Sequence, residues 1–458
     1  MGFMDKLSEA MEKFLLPIAQ KVGTQRHLVA LRDGFIATMT ASIAGAFAVL
    51  FNCVFFNHDD AAIIGKQLYK LGFWKDYVSP VLDKYIINMG WQIQNGTLKI
   101  LAILLVITIA YSLAKSYDTD PLGAAICAFS CYFILMTTTF DNGNVFTLDA
   151  KTGEYVAGVS GVYNMDWLGA NAMFTSILTA FIATEIFVRI TKRGIVIKMP
   201  DQVPPAVMRS FAALIPGMAT MLVFGIVSTI FINGIQKDLP SWLFNTLQQP
   251  LMHLGQSPVT FIFLSLLAQL LWFFGLHGMN IVEAILKPLY EPAKLANIDR
   301  YSQGLDPEFA LTRNFIDVYA MPGGSGGTIG LLIAIFLFSK REESRELAKL
   351  AIAPACFQIN EPVIFGLPII LNVTYFIPFL LNTPLMLTIA WIFTEPIPFA
   401  HYICVDVPWT CPPVVSAFFA TGGDWKATVL AAALLVFSIL LWTPFVLVAN
   451  RQQNVEEA

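Results

Sequence analysis

A bilayer crossing needs about 20 mostly apolar residues in a row, and this chain approaches that pattern ten times. The segments lie near Phe35–Phe56, Leu98–Leu113, Leu122–Thr139, Ala170–Val188, Phe211–Ile232, Val259–Phe274, Gly330–Phe338, Leu367–Leu381, Pro384–Phe399 and Thr428–Val448. Several are short or interrupted by Gly and Pro. In lipid each backbone polar group must be satisfied inside the protein, which leaves helices as the simplest spanning structure. Only 13% of the residues are charged, against about 25% in soluble domains. The expected fold is therefore an all-α polytopic membrane protein with about ten transmembrane helices. Met4, Leu7, Met11, Phe14, Leu15 and Ile18 recur at helical spacing, with Asp5, Lys6, Glu9, Glu12, Lys13 and Lys21 largely between them. That predicts an N-terminal amphipathic helix in the interface, not a cleavable signal peptide, whose core would be free of charge.

Basic residues orient the set. Lys21, Arg26 and Arg32 precede the first segment, and Lys115 follows the second. Arg189, Lys192, Arg193 and Lys198 follow the fourth. Lys340, Arg341, Arg345 and Lys349 fill a later loop, and Arg451 follows the last segment. The positive-inside rule places these in the cytoplasm, and both termini with them. The loops Asp141–Asp166 and Asp406–Trp425 are poor in Lys and Arg. The loop His58–Asn95 mixes Lys66, Lys70, Lys75 and Lys84 with Asp59, Asp60, Asp76 and Asp83, and so weighs little either way.

Several chemistries leave no trace. The six cysteines (Cys53, Cys127, Cys131, Cys356, Cys404 and Cys411) form no Cys-x-x-Cys pair or zinc spacing and read as small core residues. Neither a metal nor a cofactor is expected, and no nucleic-acid partner. Gly323-Gly324-Ser325-Gly326-Gly327 lacks the GK[ST] ending of a P-loop and reads as close backbone packing or a hinge. No HExxH or GxSxG hydrolase signature is present.

The two halves differ. Residues 1–235 carry regular apolar segments and read as a scaffold or oligomer contact. In residues 236–458 the apolar stretches are broken by Gly, Pro, His, Asn and Glu, as in the discontinuous helices that build transporter sites. Cys356 to Leu371 is apolar except for Gln358, Asn360 and Glu361. A carboxylate there loses hydration that something must replace. Pro362, Gly366 and Pro368 disfavour a continuous helix, so the segment reads as a re-entrant hairpin presenting Asn360 and Glu361 to a polar substrate. A second break, Trp272-Phe273-Phe274-Gly275-Leu276-His277-Gly278-Met279-Asn280, ends an apolar helix in a histidine between glycines. Its ring can donate, accept or carry a proton near neutral pH. Trp272 and Trp409, the latter in a proline-rich turn, are candidate platforms for the apolar face of a sugar ring. A carboxylate, a histidine and amides such as Asn280 would satisfy its hydroxyls.

These residues resemble a known family. KMPDQVPP from Lys198, RSFAALIPG from Arg209 to Gly217, WFFGLHG from Trp272, GGSGG from Gly323, FQINEPVIFGLP from Phe357 to Pro368, and Pro408-Trp409 are similar to the membrane subunit (enzyme IIC) of the bacterial phosphotransferase system, in its lactose, cellobiose and diacetylchitobiose branch. The resemblance runs from the N-terminal helix to Asn450. It implies a homodimer in the cell membrane, with residues 1–235 as the dimerisation half and residues 236–458 as a sugar-binding half holding two re-entrant hairpins. It implies that Glu361 and His277 contact the sugar and carry the chemistry, with Trp272, Asn280 and Trp409 lining the site. It also implies a β-linked disaccharide substrate, phosphorylated by a separate IIB subunit that is itself charged, on cysteine, by IIA. The chain has no soluble tail long enough to be either partner. The rival reading is a proton-coupled secondary sugar transporter, with Glu361 and His277 as its proton relay.

Overall fold

The computed structural model describes residues 21, 24–58, 63–140, 146–148, 155–157, 159–200, 202–367 and 369–456. All but one residue of the amphipathic helix expected over Met1–Val22 lies outside them. Among the described residues, six helices are long and apolar enough to cross a membrane: Met39–Phe56, Trp74–Ser116, Ala170–Lys192, Pro205–Ile235, Val373–Thr394 and Trp425–Asn450. Leu239–Gly255 and Pro258–Phe273 pass the same test as one broken pair, and Pro121–Ile134 and Thr328–Phe338 are shorter apolar helices. The two segments expected on either side of Thr383 are mostly one helix, Val373–Thr394, with Pro378 and Pro384 buried inside it. Prolines are tolerated in membrane helices where their surroundings satisfy the freed carbonyls, so Pro384 does not mark an end here. The helical pattern left out two short antiparallel ladders: Thr139–Phe140 with Val159–Ser160, and Phe146–Leu148 with Tyr155–Ala157.

Two compact units are present. Among described residues, one unit lies within 25–42 and 95–251, the other within 21, 24, 43–94 and 252–456. The packing boundary thus falls at Leu251/Met252, sixteen residues beyond the change of character at residue 235, and 43–94 belong with the C-terminal unit.

In the N-terminal unit, α1 (Arg26–Ala37), α2 (Leu101–Ser116), α3 (Pro121–Ile134), α4 (Met173–Lys192) and α5 (Pro205–Ile230) form the bundle. Helix α2 packs on α1, α3 and α4, and α3 also packs on α5. The seams are lined by small residues: Ala102, Ala110, Ala114, Ala124, Ala128, Ala180 and Ala183 are completely buried. Lipid tails are as apolar as the helices, so close backbone approach, rather than hydrophobicity, holds such a bundle together. At one end the Tyr117 hydroxyl and the Arg189 side chain donate to Glu185, and the His27 Nε2 lies 3.1 Å from the same carboxylate. Arg26 and Lys192 sit 4.7 Å and 5.1 Å from the centre of the Tyr117 ring. Basic residues from two stretches that the charge pattern assigns to one side therefore meet at Tyr117, which follows Lys115 of a third.

The C-terminal unit contains α6 (Pro258–Phe273), α7 (Gly278–Ser302), α8 (Thr328–Phe338), α9 (Glu342–Cys356), the short α10 (Glu361–Gly366), α11 (Val373–Thr394) and α12 (Trp425–Glu456). Helix α11 packs against α6 and α12, and α8 packs against α12 and α9. Phe261, Phe273, Phe315, Tyr319, Phe379 and Trp442 are fully buried between them.

Candidate functional site

Two helices of the C-terminal unit end in the same way. At the end of α6 the Gly275 N–H donates to the Trp272 carbonyl and the Leu276 N–H to the Leu271 carbonyl, with Gly275 at φ +81°. At the end of α9 the Gln358 N–H donates to Ala355 and the Ile359 N–H to Pro354, with Gln358 at φ +65°. Both are Schellman turns, which need one left-handed residue. In each case a new helix starts two residues later, capped by His277 in the first and Asn360 in the second. The segment that follows α10 returns to the end of α6, where the Leu371 N–H donates to the Phe273 carbonyl at 3.1 Å.

The chemistry-bearing groups sit at these two caps. His277 Nδ1 accepts from the Asn280 backbone N–H at 3.3 Å. With Nδ1 used as an acceptor, the neutral ring carries its proton on Nε2, which is left to donate outward. The His277 side chain is exposed, and its ring centre lies 4.3 Å from that of Trp272. Glu361, the first residue of α10, is exposed and has no paired side chain among the described residues. Its charge lies near enough to be felt at His277, which caps the start of α7 as Glu361 opens α10.

The other expected site residues divide. Asn280 is exposed one turn into α7, and Trp409 is 49% exposed in a turn where the Cys411 N–H donates to the Pro408 carbonyl. Trp272 is only 4% exposed and its indole N–H has no acceptor among the described residues. It backs the histidine instead of offering a free ring face. Asn360 departs from the expectation that it faces substrate. It is 5% exposed, and its amide N–H donates to the Ser325 carbonyl at 3.0 Å. Its work is to pin the second turn to the glycine loop.

That loop is close packing, not a phosphate cradle. The Asn382 amide and the Trp442 indole donate to the Gly326 carbonyl at 2.9 and 3.1 Å. A Cβ on Gly324 (φ +99°) would lie 2.7 Å from Asn360 Cγ, and one on Gly326 (φ +81°) 2.5 Å from the Phe379 ring. Gly324→Ala is expected to destabilise the protein by at least about 1–3 kcal/mol of backbone strain, read as a lower thermal midpoint in detergent. A variant as stable as the parent would overturn this account of the loop.

Sequence reasoning missed a buried charge cluster beneath the turns. Arg313 clasps Glu283 with Nε at 3.0 Å and Nη2 at 2.8 Å, and its Nη1 reaches Asp317 at 3.1 Å. Lys287 lies 3.5 Å from Glu283, and Lys294 bridges Glu291 at 2.6 Å and Asp406 at 2.8 Å. These groups lie outside the candidate spans. Burial pushes the Glu283 carboxyl up, but Arg313 and Lys287 outweigh it and hold it below its ordinary value. The signal was available: Glu283, Lys287, Glu291 and Lys294 fall at i, i+4, i+8 and i+11, one stripe of a helix. The cluster joins the second turn through Gln358, whose amide N–H donates to the Asp317 carbonyl at 3.0 Å.

Comparison with known proteins now bears on this geometry. Residues 32–383 match the family model "Phosphotransferase system, EIIC". The chain is 32% identical to the cellobiose-specific EIIC component of Lactococcus lactis, over 99% of this chain and 100% of that one. It is also 32% identical to the lichenan permease IIC component of Bacillus subtilis, over 99% and 96%. The crystal structure of the transporter ChbC, the IIC component of the N,N'-diacetylchitobiose-specific phosphotransferase system, superposes with a TM-score of 0.87 at 28% identity, covering 98% of this chain and 99% of that one. With both turns of the C-terminal unit lying inside the matched region, this multi-pass membrane protein belongs to the EIIC family of the phosphotransferase system.

Proposed function

We propose that the chain carries a β-linked disaccharide of the cellobiose, diacetylchitobiose or lactose type across the cell membrane and presents it to a separate, phosphorylated IIB subunit, itself charged by IIA. The observation that carries this reading is the placing of Glu361 and His277, each at the start of a new helix after a helix-breaking turn, with the charge of one felt at the other. The sugar lies against the exposed Trp409 ring, its hydroxyls met by Glu361, His277 Nε2–H and Asn280, with Trp272 supporting the histidine. A phosphoryl group passes from the IIB cysteine to a primary hydroxyl: the S–P bond breaks, the O–P bond forms, and Glu361 takes the hydroxyl proton. Product charge then disfavours return through an apolar cavity. The protein works as a homodimer joined through its N-terminal half, with both termini in the cytoplasm. The basic groups around Glu185 and Tyr117 support that orientation.

The test is the energy source. Vesicles with phosphoenolpyruvate and the soluble partners inside, and the proton gradient collapsed by a protonophore, are expected to keep accumulating phosphorylated cellobiose. Accumulation of unmodified sugar without the partners, abolished by the protonophore, would replace this reading with proton-coupled secondary transport.

A further inference from the structure

We propose that Gln358 is a positioning residue, which holds the second turn in register so that Glu361 stands where the sugar hydroxyl needs it. This rests on the reading of Glu361 given above. The two turns supply the argument. Gly275-Leu276-His277 and Gln358-Ile359-Asn360 occupy the same three places in the same backbone motif, and the left-handed place holds glycine in one and glutamine in the other. Left-handed backbone is visited routinely by Gly and sometimes by Asn or Asp, but seldom by a longer side chain. The turn alone would be better served by glycine.

The side chain explains the exception. Gln358 is 7% exposed, and its amide nitrogen donates to the Asp317 carbonyl at 3.0 Å and reaches the Cys411 carbonyl at 3.5 Å. Asp317 belongs to the Arg313 cluster, and Cys411 closes the turn that carries Trp409. One amide thus ties the hairpin to a fixed charged body and to the aromatic platform, three residues ahead of Glu361. The Gln358 Oε1 is buried without a partner among the described residues, so this residue conflicts with local rules in both backbone and side chain. Conflicts of that kind persist where function requires the geometry.

Gln358→Gly separates placement from folding, because glycine fits the turn and removes only the tie. The thermal midpoint is expected to stay at or above the parent's. The kcat for cellobiose phosphorylation by phosphorylated IIB should fall about 10²-fold, the scale of a small misplacement of reacting groups, with cellobiose binding changed far less. On a Glu361→Gln background, Gln358→Gly should add little further loss, since both act through one carboxylate. If Glu361→Gln is impaired while Gln358→Gly phosphorylates like the parent, or if the two losses multiply, the positioning role is overturned and the Glu361 reading stands. If Glu361→Gln itself is unimpaired, the Glu361 reading fails and this proposal with it. Should the glycine variant lose thermal stability, Gln358→Asn, which also tolerates the left-handed place but is one methylene short of Asp317, takes the same test with the same outcomes.

Discussion

Glu361→Gln is expected to cut sugar phosphorylation by about 10²–10⁴-fold, the range typical of losing a general base, at unchanged protein abundance. The substitution keeps shape and volume and removes only the charge and the proton-accepting oxygen. Because Glu361 is exposed and unpaired among the described residues, no structural partner is orphaned by the change, and the thermal midpoint should hold. The loss should appear mainly in kcat, because the interaction lost is one that strengthens as the hydroxyl proton departs. Membranes supplied with phosphorylated IIB and cellobiose provide the assay, and an undiminished rate would remove Glu361 from the chemistry.

The largest stability effect is expected at Arg313. Its guanidinium serves Glu283 and Asp317 at once, and the three side chains are 13–16% exposed. Replacing a buried ion pair with apolar residues can be neutral, but removing one member leaves the other charge uncompensated. Arg313→Met leaves Lys287, at 3.5 Å, as the remaining cation near Glu283. A loss of about 3–5 kcal/mol follows, visible as a large drop in the thermal midpoint of detergent-solubilised protein. Adding Glu283→Gln should recover part of that loss, because it removes a charge the first change stranded. Independent, additive losses would show that the two residues are not one unit.

What was legible in the sequence, and what was not, follows from how the signals are written. Apolar runs and the basic residues beside them are local, so α2 to α5 could be read directly, whereas α1 lies mostly ahead of the expected segment Phe35–Phe56. Glu361 and His277 stood out because each is polar in apolar surroundings, an anomaly visible within a few residues. Asn360 was misjudged by the same logic: a polar residue beside Glu361 looked like a second substrate group, yet its partner is the Ser325 carbonyl, 35 positions away. The pairs Glu283–Arg313 and Lys294–Asp406, separated by 30 and 112 positions, are long-range products of folding that no local pattern specifies. Pro384 misled in the opposite direction, since a strong breaker in water is a weaker one inside a packed membrane helix.

The pinning of Asn360 to the glycine loop has a mechanical consequence. The hairpin tip is tethered at two points, through Asn360 to Ser325 and through Gln358 to Asp317. A flap motion confined to residues 356–362 would have to tear the Asn360–Ser325 and Gln358–Asp317 hydrogen bonds and would leave a buried carbonyl bare at each. Displacing the tip together with the helix Phe315–Tyr319, which carries Asp317, and with α8, α11 and α12, which share the Gly326 anchor through Asn382 and Trp442, breaks none of these bonds. The glycines, usually read as a place for the chain to bend, here act as a rivet.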